Sequence, residues 1–210
     1  EEEKLVVGKT EVTSQFWQKI FGGDTEDPCG LDCPKAGISW EKALLFANKL
    51  SMMEGLEQCY QVSEGETILS EEECDGWRLP TDAEWDLISQ MKKGHKYAGT
   101  DNPTEVGWIR ANSEMTRHPV CQLKENALGL CDLTGNVWEW TNDWYHANHY
   151  QTSESTNPTG PSDGYWKTLR GGSFMNLPSY CTCTHREPAR PTRVAYTTGF
   201  RCAYDNGGSK

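Results

Sequence analysis

Two carboxylates, Asp132 and Glu139, stand on either side of the Gly135-Asn136 pair in the run Gly129 to Trp140 (GLCDLTGNVWEW). Calcium takes six to eight oxygens, and carboxylates flanking a turn whose backbone carbonyls can point inward are the donors it needs. The same residues also have a structural use, with Asn136 and Glu139 tying the turn to neighbouring backbone groups. A second chemistry-bearing set is Cys181-Thr182-Cys183, which offers two thiols of the kind soft metals prefer. No other catalytic set assembles. GxSxG, HExxH and the P-loop are absent, Ser173 has no identifiable base, and the five histidines (95, 118, 146, 149 and 185) are mostly far apart. His146 and His149 share an aromatic-rich segment, but surface hydrogen bonding is the commoner use of such histidines and they are assigned no role.

The cysteines also report on the compartment. Nine of them, at 29, 33, 59, 74, 121, 131, 181, 183 and 202, are too many for a reduced cytosolic domain and too irregularly spaced for a zinc ribbon. Extracytoplasmic disulfides are expected, with Cys29–Cys33 and Cys59–Cys74 as local pairs, at least one thiol left over, and the pairing of the other five open. With 20 Lys and Arg against 31 Asp and Glu, the net charge of −11 repels phosphate backbones and excludes a nucleic-acid partner. The stretch from Cys181 to Arg201 runs against this trend, with four Arg and one Glu. Those arginines either fork into internal carboxylates or contribute to a binding face. The acidic body gives no reason for self-association, so a monomer is expected. No run of 18 apolar residues crosses a membrane, and the acidic start at Glu1 reads as a trimmed mature chain, with any lipid anchor lying outside it.

The elements that must position these residues are few. Leu5 to Val7 reads as a strand; Thr13-Ser14 cap a helix to about Phe21, with Phe16 and Ile20 on one face; a second helix starts after Ser39 and stops near Gly55. Thr81-Asp82-Ala83-Glu84 is a capping box opening a third helix, whose buried stripe is Trp85, Ile88 and Met91. Beyond Gly94 no helical period is sustained. Leu169 to Phe174 and Gly199 to Tyr204 are the expected strands, and Trp138 and Trp140 are expected in a core built largely on aromatics. Twenty scattered Gly and ten Pro point to a loop-rich α+β fold, and without repeat or linker residues 1–210 read as a single domain.

Three pieces in order carry a family resemblance: Trp77 to Trp85 (WRLPTDAEW), Gly129 to Trp140, and Leu169 to Phe174 (LRGGSF) with Gly199-Phe200-Arg201 closing. Together with the helix start from Ile38 to Ala47 they resemble the formylglycine-generating enzymes over nearly the whole chain. The resemblance implies a C-type lectin fold of the formylglycine-generating-enzyme (sulfatase-modifying factor) type with little regular structure. It also implies a structural calcium held by Asp132, the carbonyls of Gly135 and Val137, and Glu139. Active members oxidise a cysteine of a substrate protein with copper held by two cysteines separated by four residues. Cys181 matches the first of these, but Arg186 stands at the second and offers no thiolate for Cu(I). The chain is therefore expected to be no enzyme and to require no cofactor beyond the calcium.

The frame around that position resembles a further group. Cys181, Arg186 and Pro191, set between RGGS and GFR, look like the fixed positions of variable proteins diversified by retroelements, which rewrite a C-terminal patch by adenine-directed mutagenesis. That resemblance implies a bacterial cell-surface lipoprotein, anchored in the outer membrane, with a variable region at about 170–202. It would bind a protein or glycan through Asn176, Leu177, Tyr180, Cys183, His185, Glu187, Ala189, Arg190, Arg193, Ala195, Tyr196 and Thr197. The rivals are a copper-dependent oxidase and a fixed noncatalytic surface protein of the same fold.

Overall fold

The computed structural model describes residues 4–23, 26–63, 66–69, 74–90, 94–149 and 158–206. The chain opens with β1 (Lys4–Val7), which pairs antiparallel with the last strand, β8 (Ala203–Asn206), so that the two ends close on each other. Between them come α1 (Ser14–Phe21), α2 (Trp40–Glu54), the hairpin β2–β3 (Tyr60–Ser63 and Glu66–Leu69) and α3 (Asp82–Ser89). A four-stranded sheet follows, built from β4 (Trp138–Trp144), β5 (Lys167–Arg170), β6 (Glu187–Ala189) and β7 (Thr198–Gly199) in the order β6-β5-β4-β7. Only the β4–β7 pair in that sheet is parallel.

The helices begin where short polar side chains take up amides that the first turn leaves unpaired. Thr13 accepts from the Phe16 amide, and Ser39 accepts from that of Lys42. At α3 the box is reciprocal, because Thr81 accepts from the Glu84 amide while the Glu84 carboxylate accepts from the Thr81 amide. α2 stops at Gly55, which takes the left-handed φ of 73° that a side chain would resist. Trp85 and Ile88 of α3 are buried, and Met91 lies outside the described residues.

An aromatic core joins helices to sheet. Trp17 stacks on Phe46 with ring centroids 5.4 Å apart, and Phe16 and Phe200 meet Phe46 edge-on. The indoles of Trp40 and Trp140 are buried; Trp40 donates to Thr141 O of β4 and Trp140 to Ile38 O just before the α2 cap, which locks the start of α2 to β4. Trp138 is buried as well. A smaller cluster of Trp85, Ile88, Ala98, Leu133 and Cys183 lies under α3.

Several boundaries differ from the sequence expectation. The strand from Leu169 to Phe174 is instead Lys167–Arg170, because Gly171 and Gly172 take φ of 87° and 78° and turn the chain out of the sheet. The strand from Gly199 to Tyr204 splits into β7 and β8, with Phe200 to Cys202 crossing between two sheets. The hairpin β2–β3 and the strands β4 and β6 were not foreseen. Cys29–Cys33 and Cys59–Cys74 are disulfides as expected, Cys121–Cys131 is a third, and Cys181, Cys183 and Cys202 are free and buried. Among the described residues no helix is long and apolar enough to cross a membrane.

Candidate ligand-binding surface

The segment 176–197 leaves the sheet after the Gly171-Gly172 turn and returns at β7, and fixed elements hold its backbone at short intervals. Arg110 N donates to Asn176 O, Cys183 N to Lys96 O, Trp40 N to Pro191 O, Gly37 N to Ala195 O, and Trp138 N to Thr197 O. In the middle β6 pairs with β5, with Leu169 opposite Glu187 and Lys167 opposite Ala189. Buried Arg170 adds a bond from Nη1 to His185 O. At Gly172 even a methyl group is excluded, since a Cβ there would lie 2.3 Å from Cys181 Sγ.

The side chains divide cleanly. Leu177, Tyr180, Arg190, Arg193 and Tyr196 face outward, with Tyr196 60% and Leu177 52% exposed. Asn176, His185, Glu187, Ala195 and Thr197 are half-buried beside them. Tyr180 packs its ring edge against His185, whose ring contacts Glu187 at 3.3 Å. Two expected contact residues are corrected: Cys183 belongs to the cluster under α3 and Ala189 faces the core from β6, and neither reaches the surface. Val194, which the sequence reading passed over, is 66% exposed beside Arg193. It sits in a stretch without periodicity, so no pattern marks a lone valine there as outward.

The four arginines of the basic stretch fall into two sets. Arg186 and Arg201 fork into internal carboxylates. Arg190 and Arg193 are exposed, and among the described residues no carboxylate pairs with either. Arg186 Nε lies 2.5 Å from Oδ2 of Asp82, the first residue of α3, and its Nη1 donates to His146 O while the guanidinium covers the Tyr145 ring. Arg170 Nε approaches the other Asp82 oxygen at 2.9 Å, and its Nη2 reaches Asp86. Asp82 therefore joins Arg170 and Arg186 in one buried ion network. Cys181 is fully buried, and burial pushes its thiol up to about 12.

The expected calcium ligands fare differently from one another. Asp132 and Asn136 take positive φ of 58° and 51° around Gly135. A Cβ on Gly135 would lie 2.1 Å from Trp108 O, so only glycine fits the turn. Asn136 ties it down by donating to His118 O and accepting from His118 N. Glu139 is fully buried and already engaged: Arg201 holds both its oxygens through Nε at 2.7 Å and Nη2 at 2.6 Å, and Trp85 Nε1 donates to Oε2 at 2.8 Å. Arg201 thus supplies one positive charge to Glu139. Asn136 ties the turn to backbone groups, whereas Glu139 is held by side chains. Asp132 accepts from the Cys121 amide, while its Oδ1 and both oxygens of buried Glu11 are without partners, and burial raises both groups. Glu11 was not foreseen, because an acid in a short connection after a strand carries no pattern.

A pinned segment displayed from an aromatic-cored, loop-rich α+β frame is the arrangement that the Trp77–Trp85, Gly129–Trp140 and Leu169–Phe174 motifs implied. The sulfatase-modifying factor enzyme 1-like domain model matches residues 3–206, and the chain belongs to that family. Its fold is the formylglycine-generating-enzyme type of C-type lectin fold. Among solved structures it is similar to Treponema denticola variable protein 1, at 30% identity and a TM-score of 0.86 over 95% of this chain and 84% of that one. Among characterised relatives it is 36% identical over 149 residues to the formylglycine-generating enzyme of Streptomyces coelicolor, covering 62% of this chain and 47% of the enzyme. It is also 39% identical over 136 residues to the serine/threonine-protein kinase Pkn1 of Chlamydia trachomatis, covering 62% and 21%. The chain thus spans about a fifth of the kinase and about half of the enzyme.

Proposed function

We propose that the chain is a noncatalytic receptor domain that binds a protein or glycan through a diversified patch formed by the outward side chains of 176–197. The observation that carries this reading is the division of that segment into a backbone held by fixed elements and side chains that contact little. Residues so placed can be exchanged without unfolding the domain, and surface substitutions of this kind change stability by only about 0.5 kcal/mol. Tyr180, Tyr196, Arg190 and Arg193 supply rigid aromatic area and forked donors, the chemistry that dominates binding hot spots. Likeness to the Treponema denticola variable protein 1 supports the same reading.

The oxidase reading is opposed by Arg186, which is committed to Asp82 where the family resemblance calls for a second copper cysteine. The test is to incubate the protein with copper, oxygen and a cysteine-bearing peptide and to follow conversion of the cysteine to formylglycine by mass spectrometry. No conversion above a copper-only control is expected; copper-dependent turnover by the protein would overturn the reading. Three disulfides suit an oxidising compartment, which supports an extracytoplasmic, cell-surface placement. Membrane attachment is then tested by metabolic labelling of the whole gene product with a fatty acid.

A further inference from the structure

An open groove of about 440 Å³ lies at the end of the β5–β6 ladder, lined by Tyr165, Trp166, Arg190, Pro191 and Thr192. Two of these residues precede β5 and lie outside the segment expected to vary. Tyr165 is 87% exposed and Trp166 46%, an unusual placement for two adjacent large rings in a chain whose other eight tryptophans are all buried or half-buried. Their rings meet edge to face, with centroids 6.4 Å apart, so each presents a face to a different side. The backbone beneath is fixed: Tyr145 N donates to Trp166 O and Trp40 N to Pro191 O. The floor of the groove is therefore formed by the fold itself, while Arg190 and Thr192 belong to the segment expected to vary and set what this chain's groove selects. At its rim stands Arg190, exposed and without a carboxylate partner among the described residues, on a protein of net charge −11.

We propose that this groove is a subsite for an acidic sugar, a pyranose ring carrying a carboxylate. The proposal rests on the reading of the chain as a ligand-binding domain and names the ligand class. The apolar face of a pyranose lies flat on an exposed aromatic ring, which uses the area of Tyr165 and Trp166 without enclosing the ligand. The forked guanidinium of Arg190 matches a carboxylate bidentately, and the exposed Thr192 hydroxyl both donates and accepts among sugar hydroxyls. Charge complementarity at the groove favours an acidic sugar over a neutral one, because Arg190 is the only charged residue of the lining and has no carboxylate partner among the described residues. The open shape suits one unit of a longer chain lying across the groove.

Isothermal titration of the full chain with tetragalacturonate, its methyl ester and tetraglutamate tests this. Saturable binding of tetragalacturonate is expected, with the ester much weaker, because it keeps the rings and loses the charge. Tyr165→Ala and Arg190→Gln should each weaken binding about tenfold or more. Both side chains are exposed, so the variants should melt with the wild type, and Met52→Ala, on the outer face of α2, should bind as the wild type does. No binding of tetragalacturonate overturns the proposal. So do equal binding of acid and ester, binding insensitive to Tyr165 and Arg190, and a preference for tetraglutamate, which would make the groove a site for an acidic peptide. The copper assay addresses the underlying reading separately: formylglycine formation with intact sugar binding would remove the noncatalytic reading and leave the groove, and the opposite pair of results would do the reverse.

Discussion

Arg186 anchors the segment that carries the outward side chains to the first residue of α3. Its partner Asp82 is 1% exposed and also faces Arg170, so removing Arg186 leaves a buried carboxylate with half its compensation. Arg186→Met is expected to destabilise the fold by about 2 kcal/mol, below the usual cost of a broken buried pair because Arg170 remains. Urea unfolding measures this, and a loss under about 0.5 kcal/mol would mean that the network does not anchor the segment. By contrast Tyr180→Ser and Arg193→Ser should each stay within about 0.5 kcal/mol of the wild type in the same experiment. Sequence reasoning could see that Arg186 is no thiolate. It could not see Asp82, because an acid in the first turn is ordinarily spent on its own helix N-terminus and its meeting with an arginine 104 residues away is a property of the fold. The partner of Glu139 was hidden for the same kind of reason, since the carboxylates were legible and the arginine that holds Glu139 lay 62 residues downstream.

At the scale of elements, the features readable in advance were those with local causes. The caps at Thr13, Ser39 and Thr81 and the left-handed stop at Gly55 are set by a few neighbouring residues. Short strands such as β6 and β7 exist only because β5 and β4 lie beside them, so neither period betrays them. The Gly171-Gly172 turn is where β5 gives way to the displayed segment, and Gly172→Ala should fail on two counts: a left-handed φ of 78° and a collision with Cys181. A drop in melting temperature larger than that of any exposed substitution in 176–197 is expected, and an unchanged melt would contradict the turn geometry. The Cys59–Cys74 disulfide ties the ends of the β2–β3 hairpin across 15 residues. Replacing both with Ser should cost about 3 kcal/mol on the loop-closure account. A cost near zero would mean that the hairpin holds its ends together without the bond.

Over the whole molecule, the acidic character continues into the interior. Asp143 is buried beside Asp82, which raises its carboxyl to about 6, while burial lowers Lys167, wedged between Trp40 and Trp144, to about 7. A carboxyl raised on folding holds its proton more tightly in the native state. Its contribution to stability is therefore fully present below the unfolded value near 4 and is lost as pH rises through about 6. Asp143→Asn removes that titration while keeping an acceptor for the Asp82 amide. Stability of the wild type relative to this variant should rise as pH falls from 6 to 4, and a flat difference would contradict the burial of an ionisable Asp143. Glu11, Asp132 and Glu139 are buried around one guanidinium, Arg201, and the unpartnered oxygens of Glu11 and Asp132 are donors that a cation would use. A chelator should therefore lower the melting temperature; an unchanged melt would mean that Arg201 and protonation alone satisfy the three acids.

The claim on which the account turns is that the outward side chains of 176–197 vary on a fixed frame. The most direct measurement is the DNA sequence encoding 170–202 in many isolates, together with any near-copy beside a reverse-transcriptase gene. The account predicts such a copy, with mismatches only opposite its adenines. They should fall on codons for exposed positions such as Leu177, Tyr180, Arg190, Arg193 and Tyr196, and spare Gly171, Gly172, Cys181, Arg186 and Arg201. An identical segment in every isolate with no second copy, or substitutions falling equally on the buried frame, would contradict it.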